Sequence, residues 1–249
     1  MRKISAPIGL LVFFGLAVSG CTTLSLDESY QQAVIDAAQV MDGENVNQLT
    51  PISTTNNQLL RDDQGRIKVV TWKSTAAFEN YIAGTTQTPA NPEFAYWVTV
   101  APQVQTFCQQ WTQQHADNAD LDAVRDLRLK QLLGLHPSWQ YDLFVEMWIQ
   151  PQDVFRPCVD PSPEDTQCNL NFDGSAPEVD GINDYTQFYQ QLYMKSFRAA
   201  PGVPWTGLGY TYDWADNGTA VGLSEFMTKP AASIEIIRAV PTADYCAAM

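Results

Sequence analysis

The chain begins with a short apolar segment behind basic residues, and this segment decides which residues can belong to a folded domain. Arg2 and Lys3 precede an apolar run of eleven residues, Ile8–Val18, and two small residues follow it. This order is typical of a secretory signal peptide. A helix of eleven residues rises only about 16 Å, against a hydrocarbon core of about 30 Å, so the run is too short for a stable membrane span. We therefore expect residues 1–20 to be removed on export.

The end of this segment, Val18-Ser19-Gly20-Cys21, resembles the lipobox of bacterial lipoproteins, with Val18 in place of the usual leucine. In that family the cysteine thiol receives a diacylglyceryl group, the signal peptide is cut before the cysteine, and the new amine is acylated, for example with palmitate. The resemblance covers residues 1–21 and implies lipidation of Cys21. An Asp after the cysteine favours the inner membrane in this family, so Thr22 implies the outer membrane.

The charge balance limits the partners of the mature chain. Lys and Arg number 14 and Asp and Glu 28, which gives a formal charge of −14, and removal of Arg2 and Lys3 leaves 12 against 28, or −16. Nucleic acid binding needs a basic patch, so we expect no nucleic acid partner. Anionic lipid head groups repel a negative surface, so the acyl chains would have to hold the protein at the membrane. We expect a lipidated tether over residues 21–28 and a single domain over residues 29–249.

Four cysteines remain once Cys21 is assigned to lipid, and four in an exported protein predict two disulfides. Three pairings are conceivable. We favour Cys158 with Cys168, because prolines mark the stretch between them as a loop, and Cys108 with Cys246 then follows by elimination. The spacing contains no C-x-x-C pair, which argues against zinc, and we expect neither a metal nor a cofactor.

Hydrophobic periodicity predicts an α+β domain, in which an antiparallel sheet packs against amphipathic helices. The helices are expected near residues 30–41, after Pro102, after Asp120 and over residues 185–193, and strands are expected over residues 67–72, 94–100 and 139–149. A C-terminal β-meander is predicted over residues 207–214, 220–227 and 233–240. Its first turn contains Asn217-Gly218, a pair that favours a tight hairpin.

Catalytic motifs are incomplete, and the sequence assigns no catalytic residue. Gly222–Phe226 approaches a G-x-S-x-G nucleophile elbow, but Phe226 stands where the turn requires Gly. The acidic runs near 118–122 and 213–218 lack required EF-hand positions. Glu146, Glu225 and Asp213 could form a carboxylate pair for glycoside hydrolysis, although solvated strand faces explain the same residues.

The segment from Trp205 to Trp214 is the most unusual, because four of its ten residues are aromatic and glycines lie between them. Tyr210, Tyr212 and Trp214 would share one face of a strand, with Asp213 beside them. If exposed, this face is a candidate binding platform for a sugar or a protein; if covered by the helix over 185–193, it is core, with Gly207 and Gly209 allowing a close approach.

These patterns predict an outer-membrane lipoprotein that is held by its lipid anchor and faces the periplasm or the cell surface. We expect a binding or structural component of the envelope rather than an enzyme, with an envelope protein or a saccharide as partner. The alternative is an envelope saccharide hydrolase that uses carboxylates.

Overall fold

The structure is a computed structural model that describes residues 24–174 and 176–247. The signal peptide, Cys21 and the first residues of the expected tether lie outside this range. The helices are α1 (Leu26–Ala37), α2 (Thr75–Tyr81), α3 (Gln103–Gln114), α4 (Leu121–Leu132), α5 (Tyr185–Phe197) and α6 (Thr242–Tyr245). The strands are β1 (Ile67–Lys73), β2 (Trp97–Val100), β3 (Leu143–Ile149), β4 (Val154–Phe155), β5 (Tyr210–Tyr212), β6 (Val221–Thr228) and β7 (Ile234–Pro241).

The strands form one antiparallel sheet, which confirms the predicted α+β class. Their order is β4-β6-β2-β1-β3-β7, and β5 pairs with β6 next to β4. The central pair, β1 and β3, is in continuous register from Ile67 opposite Ile149 to Lys73 opposite Leu143. Strand β3 begins at Leu143, so it is shorter than the strand predicted from Trp139, and the Asp142 N–H donates to the Lys73 carbonyl where the pairing with β1 ends.

The predicted meander is correct for β5 with β6 but wrong for β6 with β7. Strand β6 pairs with β2, whereas β7 lies at the opposite edge of the sheet against β3. The connection between β6 and β7 does not form a tight turn, because residues 229–232 are hydrogen-bonded to residues 88–89. The Thr88 N–H, for example, donates to the Ala232 carbonyl.

The predicted Asn-Gly turn between β5 and β6 also differs from the structure. Residues 213–220 connect the two strands, which makes a loop rather than a tight hairpin. Gly218 has a positive φ but Asn217 does not, whereas a type I′ turn needs a positive φ at both central residues.

Both faces of the sheet carry apolar core. One face packs against the segment around Ile52 and Leu59 and against α2, and its largest side chains include Met147, Ile149 and Phe226. The opposite face, which we call the helix face, is covered at one end by α3, α4 and α6 and at the other by α5. A gap remains between these two groups of helices.

The first helix begins inside the expected tether, because a capping box fixes its start at Leu26. The Ser25 hydroxyl accepts from the Glu28 N–H, and the Glu28 carboxylate accepts from the Ser25 N–H. The helix ends at Ala37, so the predicted continuation to Met41 is wrong, and Met41 is exposed. No helix in the described ranges is both long and apolar enough to cross a membrane.

Both predicted disulfides are confirmed. Cys108 of α3 is bonded to Cys246, 138 residues away, and Cys158 is bonded to Cys168, 10 residues away. All four cysteines are buried. The longer bridge fastens α6 and the adjoining β7 to α3, and the shorter one closes the loop after β4.

Removal of the longer bridge is expected to cost more stability than removal of the shorter one, because it closes the larger loop of the unfolded chain. Replacing Cys108 and Cys246 by Ala should lower the free energy of unfolding by about 5 kcal/mol, and replacing Cys158 and Cys168 by about 3 kcal/mol. Urea unfolding followed by tryptophan fluorescence measures both. An unchanged midpoint in either double variant would contradict its stabilising role.

Candidate ligand-binding cavity

A cavity of about 380 Å³ lies on the helix face, in the gap between α5 and the α3–α4 pair. We call it the aromatic cavity. Four of the seven tryptophans, at positions 72, 97, 139 and 205, line it. Its floor is formed by strand residues, among them Val70, Trp72, Thr99, Phe144, Glu225 and Met227.

Strand pairing brings the floor residues together. Glu225 of β6 lies opposite Thr99 of β2, and Thr99 lies opposite Val70 of β1. Residues directly opposite one another point to the same face of the sheet, so these three side chains form one row across the helix face. The row places a single carboxyl group in an otherwise largely apolar floor.

Helix α5 forms one wall of the cavity. Its start is fixed by Asp184, whose carboxylate accepts from the Gln187 N–H. Phe188, Gln191, Leu192 and Lys195 all line the cavity, and their spacing places them along one side of the helix. Gln191 and Lys195 are exposed and mark the mouth, where Lys195 pairs with Glu93 at 2.9 Å.

Trp205 forms the wall beside Glu225 and is fixed by two aromatic neighbours. Its ring lies edge-on to Tyr189 of α5 at 5.1 Å and to Trp97 at 6.4 Å, and it is only 5% exposed. Gly207 makes this packing feasible, because a Cβ there would lie 2.5 Å from the Tyr189 hydroxyl. The predicted close approach of α5 is therefore confirmed at Gly207 but wrong at Gly209, where a Cβ would meet Arg156 and Cys168 instead of a helix.

Glu225 supplies the buried carboxyl group of the cavity. Its side chain is buried, and desolvation raises the pKa of its carboxyl to about 8, so the group is mostly protonated at neutral pH. The charge of Arg156 and the nearby indole N–H of Trp205 oppose this rise without cancelling it. Neither Oε1 of Glu225 nor Nε1 of Trp205 has a well-aligned hydrogen-bond partner among the described residues.

Arg156 lies close enough to act on Glu225 electrostatically but does not pair with it. Its guanidinium donates to the carbonyl oxygens of Thr50, Asp165 and Gly209 at 2.9, 3.1 and 3.2 Å. Its charged end also lies 4.5 Å from the centre of the Phe226 ring, on the other face of the sheet. The carboxyl of Glu225 is consequently left available to a ligand.

The aromatic segment that the sequence offered as a binding platform lies mainly in the core. Tyr210 is buried, and its hydroxyl donates to the Glu44 carbonyl; Trp214 is buried against Tyr30 and donates to the Leu135 carbonyl. Tyr212 lines the aromatic cavity and donates to the Asp36 carboxylate. The expected packing of α5 on this strand is wrong, since α5 packs on Phe155 and Met227 instead.

The three carboxylates considered for hydrolysis are not brought together. Glu146 pairs with Arg238 at 2.8 Å, and Asp213 pairs with Arg128 at 2.6 Å. Glu146 and Glu225 lie in one row but three strand spacings apart. That is about 14 Å at roughly 4.8 Å per strand, well beyond the 9.5 Å or so of an inverting glycosidase.

The sequence singles out Glu225 but favours a solvated strand face for it. That expectation is wrong, because Glu225 is buried. A usable signal existed, because Leu223 and Met227, the residues two positions away on the same face, are both apolar. Arg156 and Trp97 were missed. Their roles depend on contacts between distant segments, which local pattern does not encode.

Comparison with known proteins adds no further constraint. No protein-family model, no curated protein and no solved structure matches the chain.

Replacing Glu225 by Gln is expected to stabilise the protein in a pH-dependent way. The folded pKa is about 8 and the ordinary value 4.5, so the unfolded chain loses this proton first and stability falls as the pH rises between these values. The variant should gain about 4 kcal/mol over the parent at pH 8 and almost nothing at pH 4, at roughly 1.4 kcal/mol per pKa unit.

Urea unfolding across this pH range measures the gain. The matched control is Glu79→Gln, which removes an exposed carboxylate of α2 and should show no comparable trend. A gain from Glu225→Gln that does not change with pH would contradict a buried, protonated carboxyl.

Proposed function

We propose that this chain is a lipid-anchored protein of the bacterial outer membrane that binds a small, largely apolar molecule in the aromatic cavity. The observation that carries the binding role is an aromatic-lined cavity of about 380 Å³ that contains a buried carboxyl and a buried indole N–H without well-aligned hydrogen-bond partners. Ligand sites are typically concave and apolar, with a few polar groups that fix orientation.

The anchor rests on the lipobox resemblance, and the start of α1 is consistent with it. Only four residues separate Cys21 from Leu26, so the distance from Cys21 to the Ser25 cap is at most about 14 Å for an extended chain. A domain on so short a tether stays next to the membrane surface. This position suits a protein that captures an envelope compound or presents it to a partner.

Binding is favoured over saccharide hydrolysis by the surroundings of Glu225. Its raised pKa would suit a general acid, but a glycosidase needs a second carboxyl within reach. Glu93 is the other carboxylate that lines the cavity, and Lys195 pairs with it at the mouth. The two carboxyls of the cavity thus differ in their surroundings, because one is buried in the floor and the other is exposed and ion-paired at the mouth, which favours recognition over hydrolysis.

A neutral apolar dye tests the binding role. N-phenylnaphthylamine should increase its fluorescence on binding to the parent protein, because the cavity excludes water. Gln191→Trp, which places a large ring at the mouth, should weaken dye binding at least tenfold. Gln190→Trp is the matched control, since Gln190 is exposed on α5 but does not line the cavity. Equal dye binding by the two variants, or none by the parent, would refute the proposal.

The anchor has an independent test. Cys21→Ala should abolish incorporation of radioactive palmitate and release the protein from the membrane fraction, because the residue that carries the lipid is gone. Palmitate labelling of parent and variant in growing cells measures this. Undiminished labelling of Cys21→Ala would overturn the assignment of the anchor.

A further inference from the structure

The aromatic cavity contains a buried carboxyl and a buried indole N–H that lack well-aligned hydrogen bonds. Glu225 is 7% exposed and Trp205 5%. The indole N–H lies near the carboxyl and acts on its pKa, but neither Oε1 of Glu225 nor Nε1 of Trp205 has a well-aligned hydrogen-bond partner in the described part of the chain. Buried polar groups are generally paired, so an unpaired carboxyl at a cavity wall indicates a ligand group that completes it. An ionised carboxyl accepts hydrogen bonds, and its natural partner carries an N–H and a positive charge.

The protein's own cations are engaged elsewhere. Arg156 donates to backbone carbonyls, and Lys195 pairs with Glu93. Lys73, at the end of β1, also lines the cavity, but strand alternation places its side chain on the opposite face from Glu225, and its ammonium lies 6.0 Å from the centre of the Tyr96 ring. Among the tyrosines nearby, Tyr210 donates to the Glu44 carbonyl, Tyr212 donates to the Asp36 carboxylate, and Tyr141 lines the cavity with its pKa raised by burial. Within residues 24–174 and 176–247, no ion pair to Glu225 is formed.

The walls of the cavity suit a cation with an apolar body. Trp97 and Trp205 meet edge-to-face at 6.4 Å beside Glu225, and Trp72 stacks on Phe144 at 5.3 Å. Aromatic faces attract ammonium groups, and tryptophan does so most strongly. The formal charge of −14 also draws organic cations towards the protein and repels anions.

We propose that the aromatic cavity binds an organic ammonium ion with an aromatic or branched apolar body, whose N–H donates to Glu225 and whose body packs on Trp97 and Trp205. This inference rests on the proposed binding function and specifies the ligand class. The proton balance is defined: the ammonium keeps its own proton, and the carboxyl proton of Glu225 passes to the solvent. Binding is therefore coupled to the release of one proton wherever Glu225 is protonated in the free protein.

Phenethylamine and phenethyl alcohol form a probe pair that differs mainly in charge. Titration calorimetry should show the amine binding at least tenfold more tightly than the alcohol at pH 8. The affinity for the amine should fall about tenfold per pH unit below the pKa of Glu225, while that for the alcohol stays constant. At pH 6, buffers of different ionisation enthalpy should reveal about one proton released per amine bound.

Glu225→Gln should reduce the affinity for the amine at least tenfold and remove its pH dependence, whereas Glu79→Gln should change neither. Near-ultraviolet circular dichroism verifies that both variants are folded; if Glu225→Gln is not, the pH dependence of the parent protein decides alone. Equal affinities for amine and alcohol, or no proton release, would overturn the ammonium ligand. If the dye still binds in that case, the proposed function stands; if neither dye nor amine binds, both fail.

Discussion

A buried guanidinium fastens the loops of this protein to its sheet. Arg156 directly follows β4, is fully buried, and donates to carbonyls of three separate segments, at Thr50, Asp165 and Gly209. Desolvation lowers the pKa of this group only to about 10, so the charge persists at neutral pH. Gly209 has no side chain because a Cβ would lie 2.5 Å from Cδ of Arg156. One side chain thus determines how the loops around residues 50, 165 and 209 meet.

The chemistry of the cavity depends on the same interaction. Because Arg156 directs its N–H groups to peptide carbonyls, Glu225 remains without a counterion and retains its proton. An isolated charge in such a setting is costly, whereas a neutral acid is tolerated. The cavity itself exists because α5 covers one end of the helix face and α3, α4 and α6 cover the other. Trp205 and its neighbours line the gap without filling it.

Local signals in the sequence predicted much of the fold. Apolar periodicity located α1, α3, α4 and α5, although not α2 or α6, and the prolines identified the Cys158–Cys168 loop. The position of β7 could not be predicted in this way, since its isoleucines pack against β3 rather than against the preceding strand. The cavity could not be predicted from local patterns either, because it depends on the relative placement of α5, Trp205 and β6, which are joined only by tertiary contacts.

The nesting of the two disulfides bears on how the chain matures. Along the chain the cysteines occur in the order 108, 158, 168 and 246, but the native bonds join the first to the last and enclose the inner pair. In a chain that is oxidised from its N-terminus onwards, Cys108 meets Cys158 before it meets Cys246. Native pairing then requires either oxidation after the whole chain is available or thiol–disulfide exchange.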